Sequence, residues 1–135
     1  MPTRWRGQRG QSLPETALMI VVIFMVVFWV FELGWIMYTY SVLAAAANEG
    51  VRYAIVHTGG GATASPTTQT IVNDFAATSL HDVSAMTVAV TAPDGSYAPP
   101  NRVRVMVSYR YVPVLSTFMS TPTLHTYAEA RMLVQ

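Results

Sequence analysis

Two carboxylates stand where a carboxylate is expensive. Glu15 opens, and Glu32 interrupts, a stretch that is otherwise apolar from residue 17 to residue 37. An unpaired carboxylate in hydrocarbon is either heavily penalised or forced to take a proton, so each of these needs a partner or water. Glu15 also has a plainer reading. In the first turn of a helix a negative charge is favoured by the macrodipole, and Pro14 is tolerated there because the first-turn N–H groups have no helical partner. For Glu32 two readings stand side by side: an intramembrane group that meets another helix, and a group near enough to the outer interface to be solvated.

The remaining polar residues form no reactive constellation. His57, His81 and His125 lack the spacing of a metal site and read as solvated or capping histidines. The triple glycine at residues 59–61 lacks the preceding strand and following lysine of a phosphate cradle. Asp74, Asp82, Asp94 and Glu129 fall mainly in turns or on an exposed strand face, with no motif bringing a nucleophile to a base, so no enzyme is expected. With no cysteine there is no disulfide, thiolate metal site or cysteine nucleophile. A net charge of +1 made of few charges of both signs offers no field for a nucleic-acid backbone. No cofactor, metal, nucleic acid or small-molecule substrate is expected.

The elements that hold the two carboxylates follow from composition. The chain has 135 residues, 52% hydrophobic and 11% charged, enough for one membrane segment and one small domain. A helix rises about 1.5 Å per residue and the hydrocarbon core is about 30 Å thick, so roughly 20 apolar residues suffice, and residues 17–38 supply them. A domain made from the rest could not surround a helix that is apolar on every face. Arg4, Arg6 and Arg9 precede the span while Glu49 and Arg52 follow it, which places the N-terminus in the cytoplasm and the remainder outside. Trp35, Tyr38 and Tyr40 suit an aromatic belt at the outer interface. A secretory signal cut near Ala46 is the competing reading, but it would leave about fifteen residues between the apolar run and the cut, where a short polar stretch belongs.

Beyond the span the helix is expected to continue to about residue 57, since residues 44–47 are strong helix formers. Leu43, Ala46, Ala47, Gly50 and Ala54 share one side, a small-residue face suited to close packing, with Asn48, Glu49 and Arg52 on another and Tyr53 beside them. Residues 58–65 form a glycine-rich joint. Ser65 as N-cap and Pro66 at the first position open a second helix, which the apolar spacing of Ile71, Val72, Phe75, Ala76 and Leu80 carries to about Leu80. The period then becomes two. Met86, Val88 and Val90 alternate with Thr87, Ala89 and Thr91 before a turn at Pro93-Asp94-Gly95. Val103, Val105, Val107, Tyr109 and Tyr111 alternate with Arg102, Arg104, Ser108 and Arg110, and a last strand begins near Leu124. Leu115, Phe118 and Met119, in the loop between, read as a cover over the sheet in preference to part of a partner surface, since single apolar surface residues are ordinary. The fold class is α+β: a long N-terminal transmembrane helix, a short helix and a small antiparallel sheet, with residues 66–135 as an extracytoplasmic domain.

One further motif lies just ahead of the span. A basic segment ends in Gly10, and Glu15 is the fifth residue after it. This spacing resembles that of type IV pilin-like precursors, and within that class the chain is similar to the TadE-like minor pilins of tight-adherence (Flp-type) pili. The resemblance rests on Arg9-Gly-Gln-Ser-Leu-Pro-Glu15-Thr-Ala-Leu18, on Phe31-Glu-Leu-Gly34, on Ala46-Ala-Asn-Glu-Gly-Val-Arg-Tyr-Ala54, and on Val103-Arg-Val-Met-Val-Ser-Tyr109 with the strand up to Gln135. It implies removal of residues 1–10 by a prepilin peptidase, and pairing of Glu15 with the freed, methylated α-amine of Gln11 on a neighbour. It also implies association with other pilin or pseudopilin subunits and the assembly machinery through the bilayer, where Glu15, Glu32 and Gly34 would act. The alternative from another class is a membrane-tethered extracytoplasmic binding domain, never cut and never assembled.

Overall fold

The computed structural model describes residues 12–57, 64–114, 116 and 120–132. Five elements follow in order: α1 (Ser12–His57), α2 (Ala64–Ala77), β1 (Met86–Thr91), β2 (Arg102–Arg110) and β3 (Thr123–Arg131). This is the α+β architecture expected. Gly10 and Gln11, residues 58–63 of the expected joint and the loop residues Leu115, Phe118 and Met119 lie outside the described residues, as do residues 133–135; α2 begins at Ala64, so residues 64 and 65 belong to the helix and Ser65 is not the N-cap that the sequence suggested.

The chain divides into two compact units, one up to Trp35 and one from Ile36 onward. The first holds the N-terminal part of α1. Pro14 and Glu15 sit in its first turn, where a missing N–H and a negative charge cost least.

The second unit has its own core. The strands form one antiparallel sheet in the order β1-β2-β3. Val88 lies opposite Val107, which lies opposite Thr126, and Val90 opposite Val105, which lies opposite Ala128. This register turns Val103, Val105 and Val107 inward, where all three are fully buried. The C-terminal half of α1 covers that face with Val42, Leu43, Ala46, Ala47 and Val51, and α2 adds Val72 and Ala76. A smaller cluster joins Ala54 to Val103 and Met132.

Local chemistry explains where α2 stops. The apolar spacing carries the helix to Leu80, yet it ends at Ala77. Thr78 donates its hydroxyl to the Phe75 carbonyl at 2.7 Å, and the N–H groups of Thr78 and Ser79 turn to Phe75 and Ala76 in tighter bonds. A threonine that bonds its own backbone competes with helix continuation. Leu80 is nevertheless buried, so the apolar period outlasts the helix. At the turn after β1, Gly95 has φ of 83° and donates its N–H to the Ala92 carbonyl. That backbone favours glycine.

Candidate membrane and assembly surfaces

Every described side chain from Leu13 to Phe31 on α1 is exposed. The segment is apolar around its full circumference and its most apolar window has a mean hydropathy of 2.6. Transfer of one large apolar side chain out of water is worth about 1.5–3 kcal/mol, so leaving this many in water would cost tens of kcal/mol. This long apolar helix is consistent with membrane anchoring. Glu15 is exposed at its start.

Toward the C-terminal end of this segment, Val26, Val27, Val30, Phe31, Gly34 and Trp35 line an open apolar groove. A Cβ added at Gly34 would meet nothing within 4 Å. Among the described residues nothing makes use of the missing side chain there.

Glu32 differs from its neighbours. It is 5% exposed in a segment of otherwise exposed residues, and it is engaged in an interaction within the chain. On α1 it shares a face with Thr39 and Leu43, seven and eleven residues on, both buried.

The small-residue face is spent inside the domain. Ala46, Ala47, Gly50 and Ala54 are buried, whereas Glu49 and Arg52 are exposed. The partners of this close-packing face lie in the same chain. At Gly50 a Cβ would collide with Val72 Cγ2 and meet Val105 Cγ1 at 3.4 Å, so the glycine is what lets α2 approach α1. Tyr53 stacks on His57 with ring centroids 4.0 Å apart, and His57 Nδ1 lies 3.1 Å from the Tyr53 carbonyl, a capping arrangement at the helix end.

The outer face of the sheet carries an ion-pair grid that sequence reasoning missed. Arg102 reaches Asp94 and Glu129, each at 2.8 Å, and Arg104 reaches Glu129 at 2.7 Å. The Arg102 hydrogen bonds hold the Asp94 carboxyl down at about 2. Arg104 likewise lowers the Glu129 carboxyl. The Arg104 guanidinium also lies 5.2 Å from the centre of the Tyr127 ring. Ser108 and His125, opposite each other, approach to 2.9 Å. The signal was present as alternating arginines on β2 and a glutamate on β3, but only the strand register joins them. Among the described residues no group of histidines, aspartates and glutamates could hold a metal ion.

The family model described as TadE-like protein matches residues 10–52. The match runs from the end of the basic segment through the apolar span to the small-residue face, and it stops short of the β2–β3 hairpin. No curated protein and no solved structure matches the chain.

Proposed function

We propose, from a chain whose residues 10–52 are TadE-like, that it is a minor pilin or pseudopilin that assists assembly of a tight-adherence pilus or related secretion filament. The observation that carries this reading is the contrast along α1. The outer half packs into the chain's own core, while residues 13–31 leave every face open to lipid and to other spans. The protein is anchored in the cytoplasmic membrane with residues 1–10 inside and the chain from about Tyr40 onward outside, following the arginine bias.

Assembly then proceeds by association and not by chemistry. A prepilin peptidase removes the leader between Gly10 and Gln11. The new α-amine at Gln11 pairs with Glu15 of a neighbouring subunit, because an ion pair strengthens in a drier medium while either charge alone would be penalised. Gly34 serves as a notch for another transmembrane helix. A glycine costs about 1 kcal/mol in a helix relative to alanine, and close approach of a second helix in lipid offsets that. Glu32, held within the chain, fixes which face of α1 turns inward.

Deletion of the gene in a piliated strain tests this. Surface pili should fall sharply and return when the full chain is supplied, but not when it carries Glu15→Leu. Normal piliation in the deletion strain would contradict the assembly role.

A further inference from the structure

The domain from Ile36 onward carries five arginines and five side-chain carboxylates, so it is neutral, but the charges are sorted by side. Arg102, Arg104 and Arg110 point outward from β2, and Arg131 from β3, against only Glu129 beside them and Asp94 in the adjoining turn. That side has a surplus of two positive charges. The helix side and its following loop carry Glu49, Asp74 and Asp82 against Arg52 alone, a surplus of two negative charges. Each side also has an exposed apolar centre. On the sheet it is Tyr127 with Met106 directly opposite, 65% and 38% exposed. On α2 it is Phe75, 40% exposed and adjacent to Asp74.

These two faces fit each other and do not fit themselves. Sheet against sheet sets surplus arginines together, and helix against helix sets carboxylates together, each of which is penalised. We infer that the sheet face of one copy of this chain docks on the α2 side of the next copy. The contact is heterologous, so it requires no twofold axis and can repeat with every anchor pointing the same way, as one membrane demands. Tyr127 and Met106 then meet Phe75, with Arg110 and Arg131 set against Asp74 and Glu49 at the rim. Aromatic and methionine side chains are the residues such contacts favour at their centres. This inference rests on the proposed assembly role and specifies one partner within it, a second copy.

The absence of cysteine allows a direct test on the full chain in its membrane. Tyr127→Cys and Phe75→Cys are introduced together, and membranes are treated with a short bismaleimide. The contact predicts a ladder of dimers, trimers and higher products, while either cysteine alone gives none. Among the described residues Arg110 and Arg131 form no ion pair, so Arg110→Glu with Arg131→Glu should lower the ladder about tenfold. Glu49→Arg with Asp74→Arg should do the same, and combining both reversals should restore it. An unchanged thermal midpoint checks that each variant is folded. Dimers from one cysteine alone, no ladder, or a ladder indifferent to charge reversal would overturn the inference. If pili still form and the leader is still cut while no ladder appears, the stacking fails and the assembly role stands. An uncut leader with pili unaffected by deletion removes the assembly role itself.

Discussion

Gly50 on α1 lies so close to Val72 on α2 that a methyl group in place of its hydrogen would overlap Val72 Cγ2. The approach is between backbone and a buried side chain on both sides, so little can give. Overpacking of this kind costs about 1–3 kcal/mol, against about 1 kcal/mol gained from better helix propensity. Gly50→Ala should lower the thermal midpoint of the chain in detergent, and Gly50→Leu should leave the domain unfolded. A midpoint unchanged in both would mean that the two helices can separate freely.

Gly34→Ala makes the matched control. No atom lies within 4 Å of the added methyl, so the same substitution should leave the midpoint unchanged or raised. If Gly34 is a notch for another span, pilus output should still drop. Full piliation with a stable Gly34→Ala chain would assign the groove no role.

The ion-pair grid predicts acid sensitivity of a stated sign. The Asp94 carboxyl is lowered from 3.8 to about 2 by its hydrogen bonds from Arg102, and Glu129 is lowered by Arg104. A lowered carboxyl stabilises the fold fully above its unfolded value and loses that contribution as pH falls through the folded one. The thermal midpoint should therefore fall between about pH 4 and pH 2. Asp94→Asn should lower the midpoint at neutral pH and flatten the decline, as a midpoint series across that range would reveal. A decline equally steep in the variant would place the acid response elsewhere.

Glu32 is buried and engaged within the chain, so its loss should be read first in stability. Removing one member of a buried polar interaction typically costs about 1–3 kcal/mol. Glu32→Ala should lower the thermal midpoint by several degrees while membrane insertion is retained. An unchanged midpoint with reduced crosslinking to other subunits would instead mark it as a contact between chains.

What could be read from residue order alone followed from periodicity. The alternation of Val103, Val105 and Val107 with arginines already separates a buried face from a wet one, and the register bears this out. The small residues from Ala46 to Gly50 were equally visible as a face, but a helical period identifies a face and never what covers it. Depth is likewise absent from the sequence, so Glu32 could be placed within the apolar run but not inside or outside the protein. The end of α2 was misplaced because Leu80 keeps the apolar spacing while Thr78 withdraws the backbone from the helix. The grid of Arg102, Arg104, Asp94 and Glu129 depends on two antiparallel registers and a turn, which link residues up to 27 positions apart.

The measurement closest to the central claim is intact mass with N-terminal peptide analysis of the protein extracted from membranes. A chain beginning at Gln11 with a free or methylated amine is the predicted result, since it is the form in which Glu15 can find a charged partner on a neighbour. A cyclised pyroglutamate at Gln11 would keep the processing but remove that pair. A chain still carrying residues 1–10 would contradict the account and leave a membrane-tethered domain that is never assembled.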